Sequence, residues 1–359
     1  MKTLSRSLVA TTLACCAFDA APYQEAGHFF TAYALVGTAD PGDKPRPRML
    51  TALCAQLPDM AADLDATEVY FRLMKRNPIA WARWGASNYT GAEDVRKMVT
   101  IQQLLHALTG GTAQDVQLLV AKPLVESLRS AAATAQGTSQ AIANCAWGFG
   151  LHFYGDAVAH ERMDEPLVDM YSTGKGHAIH LNYPDFPLCD VLASGAQVTE
   201  HCLFTHKGDQ RFGHWKQIWS QANGIYDVAG FKEKNPQVRI SLLNGVAQLG
   251  DSADDANGWN EDAMRDKLVP LDDERRVTDY VDFIKKQHSN DSCENVLRNA
   301  LQDIPELKRL NITGLTCAAV WKSYYSAATR AFSIAGAKRA RADLGKPFEQ
   351  IYVEMPLDK

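Results

Sequence analysis

His152, Asp156 and His160 recur at i, i+4 and i+8 within Leu151-His152-Phe153-Tyr154-Gly155-Asp156-Ala157-Val158-Ala159-His160. On a helix, each step of four moves the next side chain about 6 Å along the axis and only about 40° around it. All three groups therefore share one face, in a setting otherwise made of Phe149, Leu151, Phe153 and Val158. Placing three polar groups there without partners costs several kcal/mol, which a bound cation recovers at once. The two histidines are about 12 Å apart on such a helix, too far for both to reach one ion through bonds of roughly 2 Å. A central Asp156 using both oxygens therefore fits a cluster of more than one metal. The competing reading is that each residue is a hydrogen-bonded core group.

Further candidates lie along the chain. Gly27-His28 opens an apolar helical segment, Leu57-Pro58-Asp59 lies at a helix boundary, and His106 sits in Leu104-Leu105-His106-Ala107-Leu108 before Gly110-Gly111. Gly176-His177-Ala178-Ile179-His180 is followed by Tyr183-Pro184-Asp185-Phe186-Pro187. His201, His206, His214 and His288 lack a partner pattern and read as surface or loop residues. Trp147 and Tyr154 adjoin the central motif, and core packing is the favoured reading for both.

The elements that must position these residues are helical. Apolar residues recur at helical spacing and alternating runs are scarce, which predicts an all-α fold, a multi-helix bundle around the metal site with a helical C-terminal extension. Helices are expected over 25–37, 47–56, 66–76, 93–108, 114–134, 138–161 and 164–172, and near 272–288, 291–303 and 316–342. Residues 174–209 read as an ordered functional loop. The acidic stretch 249–261 lacks EF-hand spacing and reads as a solvated loop before the C-terminal part. The organisation expected is a signal peptide over 1–21, a metal-binding domain over 22–250 and a C-terminal helical part over 251–359 packed on it.

Composition narrows the function. A net charge of −5 without long Lys/Arg runs argues against a protein that coats nucleic acid, so no stable nucleic-acid complex is expected. No segment approaches the ~18 continuous apolar residues of a membrane span. The basic start Met1–Arg6 and the apolar run to Phe18 resemble an export signal, which implies a secreted or periplasmic protein; an ordinary first helix of a cytoplasmic protein is the alternative. Export would leave Cys54, Cys145, Cys189, Cys202, Cys293 and Cys317, an even set in which Cys189 with Cys202 and Cys293 with Cys317 are the nearest pairs. No C-x-x-C occurs, which argues against thiolate zinc or thioredoxin-like chemistry.

The order of these motifs resembles the superfamily of zinc-dependent phospholipase C and the fungal single-strand nucleases. A closer resemblance is to an uncharacterised bacterial family with the LH-x-x-x-D-x-x-AH helix and a GH segment followed by P-D-x-P. The likeness covers roughly residues 25–190. It implies an all-helical fold and a zinc site of two or three ions held by His28, Asp59, His106, His152, Asp156, His160 and His177 with Asp185 or His180. Asp59 would be a ligand or the base that activates water. Manganese or iron suits the same oxygen and nitrogen donors next after zinc. The implied activity is phosphodiester hydrolysis, on a phospholipid headgroup first and single-stranded nucleic acid second. A secreted helical module that uses metal for stability and binds a partner without turnover is the second hypothesis. A di-iron carboxylate bundle needs paired E-x-x-H helices, and only Glu25-x-x-His28 fits.

Overall fold

The structure is a computed structural model and describes residues 28, 29, 32, 33, 36, 48–87, 91–160, 170–173, 274–284, 286, 287 and 290–342. Among the described residues 79% are helical and 1% are strand, with no sheet, so the fold is all-α. The expected domain boundaries lie outside the described residues.

Two helices form the centre. Helix α1, Arg48–Met60, is buried continuously from Met49 to Pro58, as a helix surrounded on all sides must be. It packs on a 23-residue helix, Gly137–Ala159, whose side chains Cys145, Ala146, Trp147, Phe149, Phe153 and Ala157 are fully buried. Between them in sequence come α2 (Ala66–Arg76), α3 (Pro78–Ser87), α4 (Glu93–Leu104) and α5 (Lys122–Thr134). The long central helix is α6. The C-terminal part contributes α7 (Glu274–Ile284), α8 (Cys293–Asp303), the short α9 (Pro305–Arg309) and α10 (Cys317–Ala342).

The approach of α1 to α6 explains an otherwise unfavourable sequence. Glycine inside a helix costs about 1 kcal/mol relative to alanine, yet α6 carries Gly148 in its middle. A Cβ at Gly148 would collide with the carbonyl oxygen of Thr51 and lie 2.8 Å from Cys54 Cβ. The missing side chain lets the two helices close, and a disulfide between Cys54 and Cys145 (Cα–Cα 5.1 Å) joins them at that level. Packing, not intrinsic propensity, therefore holds α6.

The C-terminal helices brace this pair. One hydrophobic cluster runs from Phe29 to Ala335 through the described residues. Tyr280 of α7 stacks on Phe29, the neighbour of His28. Tyr324 of α10 packs edge-on against Phe149 and donates its hydroxyl to the carbonyl of Leu104 at the end of α4. The N-terminus of α8 is tied to the loop after α1, where Cys293 N–H donates to Asp63 Oδ1 at 2.7 Å and Ala62 N–H donates to the carbonyl of Asp291 at 2.9 Å. The disulfide between Cys293 and Cys317 then fixes α8 to α10.

Several elements differ from the sequence expectation. Helix α1 runs past 56 to Met60 and carries Asp59 in its last turn. Helix α4 stops at Leu104 instead of 108, because Ala107 adopts φ +51°, a left-handed conformation incompatible with helix continuation. The expected helix over 114–134 opens with three α-helical residues and six π-helical ones, Val116–Ala121, before α5. At 170–173 the chain is not helical: Met170 N–H donates to the Gly111 carbonyl, and the Gly110 N–H donates to the Tyr171 carbonyl. The helix α3 was missed, although Asn77 before Pro78 is a start signal; Asn77 Oδ1 accepts from Ala80 N–H at 3.1 Å. The Cys54–Cys145 bridge was also not foreseen, and Cys189 and Cys202 lie outside the described residues.

Candidate metal centre

Five of the predicted residues meet in the core. His28 comes from the first helical segment, Asp59 from the last turn of α1, His106 from the turn after α4, and His152 and Asp156 from successive turns of α6. Their side chains are 0–4% exposed. Asp156 divides its oxygens: Oδ1 lies 3.1 Å from His28 Nε2, while Oδ2 lies 3.1 Å from both His106 Nδ1 and His152 Nε2. Asp59 faces the same three rings from the other side, with Oδ2 3.8 Å from His28 Nε2 and Oδ1 3.8 Å from His106 Nδ1 and 3.7 Å from His152 Nε2.

Backbone carbonyls set the orientation of two rings. His106 donates Nε2–H to the Leu64 carbonyl at 2.8 Å, which turns its Nδ1 inward. His152 donates Nδ1–H to the Ala55 carbonyl at 2.9 Å and turns the Nε2 lone pair inward. The two inward nitrogens are 3.2 Å apart and both touch Asp156 Oδ2. Burial, followed by the neighbouring His28, pushes the His152 pKa down to about 3, so its ring is neutral at ordinary pH. Burial acts to raise the Asp156 pKa, but its neighbours His152, His160 and His28 and the hydrogen bond with His106 outweigh it and hold the carboxyl well below its usual range. An anionic carboxylate and the inward lone pair of His152 in contact repel one another unless a proton or a metal cation lies between them.

The distances suit that cation. Two ligands bonded at ~2.05 Å with a tetrahedral angle lie roughly 3.3 Å apart. The N···O separations of 3.1–3.8 Å bracket that edge. Two sets of three converging donors result, His28 with Asp59 and His152, and His106 with His152 and Asp156. These buried His/Asp groups can hold a metal ion, and the two carboxylates match the charge of a divalent one.

His160, 1% exposed, is in neither set; its ring donates Nδ1–H to the His106 carbonyl at 2.7 Å. It thereby fixes the turn that carries His106, although it shares a helix face with Asp156. The same turn is clamped by residues 170–173: Tyr171 N–H donates to the His160 carbonyl, and Thr173 Oγ1 donates to the Leu108 carbonyl. His177, His180 and Asp185 lie outside the described residues. Trp147 and Tyr154 are core residues, 0% and 7% exposed.

Sequence reasoning missed Gln56. Fully buried, it accepts from Phe29 N–H through Oε1 at 3.1 Å and donates from Nε2 to Asp59 Oδ2 at 2.9 Å. One amide thus couples the backbone beside His28 to the Asp59 carboxylate. Its available signal was an uncharged polar residue on the inward side of α1, three positions before Asp59.

No protein-family model, curated protein or solved structure matches this chain.

Proposed function

We propose that the cluster is a metal centre of a phosphodiester hydrolase, taking zinc first and manganese or iron second. The observation that carries the reading is the convergence of His106 Nδ1 and His152 Nε2 on Asp156 Oδ2, with His28 and Asp59 beside them. In this reading Asp156 would be shared between ions, and His28, His106 and His152 would hold them. Metal held there would supply an activated water and charge balance for a phosphoryl group. Asp59 is a further ligand or the base that takes the proton of the attacking water. His160 positions His106, and His177 with Asp185 are proposed for a third ion or for orienting the others.

A phospholipid headgroup is the preferred substrate, since the chain carries −5 and lacks a basic track for a polynucleotide. Single-stranded nucleic acid is the alternative. An exported location belongs to the same reading, supported by the Cys54–Cys145 and Cys293–Cys317 bridges, which persist in oxidising compartments. Among the described residues no helix is long and apolar enough to cross a membrane.

The burial of the donors favours one other reading, a metal-stabilised helical module without turnover, because structural metal sites are closed and catalytic ones keep a position open. Elemental analysis of the purified full chain, together with hydrolysis of an aryl phosphodiester after metal reconstitution, separates the two. Metal together with turnover that Asp156→Asn abolishes supports the hydrolase. Metal without turnover favours the module, and a chain that takes up no metal overturns both.

A further inference from the structure

The hairpin of α2 and α3 carries a combination that the metal centre does not use. Its inner face is anchored in the core by Val69, Leu73, Ala80 and Trp84, and Trp81 packs edge-on against Tyr70 at 6.2 Å. Only Asn77 separates the two helices, so the tip is rigid. At that tip Ile79 is 73% exposed, and Phe71 on α2 is 39% exposed. A lone exposed aliphatic residue is ordinary. What sets this one apart is its surroundings.

Residues 69–87 contain Arg72, Lys75, Arg76 and Arg83 and no acidic residue, in a chain whose net charge is −5. Lys75, Arg76 and Arg83 are exposed, while the one acidic residue of α2, Glu68, is ion-paired with Arg72 at 3.6 Å. The first turn of α3 is Pro78-Ile79-Ala80, where a solvated helix start favours Asp or Glu to offset the helix dipole. The dipole here adds to the positive field. A helical tip with one protruding aliphatic side chain, in a stretch that carries exposed basic residues and no acidic one over 69–87, has the makeup of a surface that lies in a membrane interface.

We propose that the α2–α3 hairpin docks on anionic phospholipid bilayers, with Ile79 entering the headgroup boundary and Lys75, Arg76 and Arg83 supplying the attraction. The inference does not depend on the metal reading. The test is co-sedimentation of the full chain with vesicles of phosphatidylcholine alone and of phosphatidylcholine containing phosphatidylserine, at low and high salt. Binding is expected only to the anionic vesicles, falling as salt rises. Ile79→Asp and the double variant Lys75→Glu/Arg76→Glu should each weaken it about tenfold or more, since each basic residue near such a surface is worth roughly a factor of 5. Both sites are exposed, so melting temperature and any turnover of a soluble aryl phosphodiester should stay at the wild-type level. Absence of binding to anionic vesicles, or binding that neither variant weakens, overturns the proposal. So does self-association that Ile79→Asp abolishes in a chain that ignores vesicles, which would assign the tip to a second copy.

Discussion

The imidazole of His28 rests on the backbone of Gly155: a methyl group at that position would stand 2.8 Å from His28 Cε1 and 3.0 Å from Nδ1. Gly155 lies on α6 directly before Asp156, whose Oδ1 meets His28 Nε2. The glycine thus sets how far His28 enters the cluster. By helix propensity alone, Gly155→Ala would stabilise the protein by about 1 kcal/mol. Overpacking of a buried site costs about 1–3 kcal/mol, so net destabilisation is expected, together with metal affinity lowered about tenfold or more. Chelator competition and thermal melting measure the two effects. A variant more stable than wild type with unchanged affinity would place His28 outside the metal shell.

Asp156→Asn removes the charge that touches all three histidines while keeping the side-chain shape. Metal content after dialysis should fall by at least about tenfold, the scale for losing a metal-site contact. Equal metal in variant and wild type would contradict a bridging role for this carboxylate.

Gln56→Leu breaks both ends of the buried amide bridge and leaves Phe29 N–H and Asp59 Oδ2 each short of a hydrogen bond. Each loss costs about 1–3 kcal/mol in a buried setting. Urea unfolding of the metal-free protein should show a loss of about 2–6 kcal/mol for the two together, and metal affinity should fall as well. Gln56→Glu, which keeps the Phe29 contact but sets a carboxyl beside Asp59, should weaken the protein more at about pH 8 than at about pH 5, because burial and the Asp59 charge raise the new carboxyl above its ordinary value of about 4.3. A leucine variant with wild-type stability would show the bridge to be dispensable.

Acidity acts in two directions. Asp65, buried, caps α2 by accepting from Glu68 N–H at 2.6 Å, and burial raises its pKa from 3.8 to about 6. Between those values the folded state binds more protons than the unfolded one, so stability falls as pH rises through that window. The ionised form costs on the order of 1–3 kcal/mol above it. Asp65→Asn keeps the cap and should flatten this slope in urea titrations of metal-free protein. Metal affinity runs the other way, weakening as pH falls because protons compete for the imidazoles and carboxylates. A slope identical in Asp65→Asn and wild type would mean that Asp65 titrates normally.

Replacing Cys54 and Cys145 together by alanine opens a link that spans 91 residues. Loop-closure entropy then predicts a loss of roughly 4–5 kcal/mol. Because Cys54 precedes Ala55, whose carbonyl orients His152, metal affinity should drop with it. Differential scanning calorimetry with and without metal checks both, and unchanged melting would show that packing at Gly148 alone holds the two helices.

Much of the site was legible in the sequence, for a reason rooted in helix geometry. His152 and Asp156 one turn apart in an apolar segment leave little choice but a shared buried face, and α6 places them so. The all-α class followed from the 3.6-residue period. The division of Asp156 between His28 on one oxygen and His106 with His152 on the other required positions that periodicity cannot supply. His160 shows the limit most clearly. Its spacing matched that of its two partners, yet it ends α6 and turns to the His106 carbonyl, because the chain reverses there and Tyr171 N–H takes the His160 carbonyl.

Residue types and local spacing determined which side chains hold the chemistry, since burying polar groups on an apolar helix commits them to find partners. Tertiary structure decided which carbonyl takes each imidazole proton, which lone pair therefore points inward, and that Gln56 and Gly155 set the distances. Those outcomes depend on contacts between segments 27 to 128 residues apart in the chain, where neighbours in space leave no local pattern in sequence.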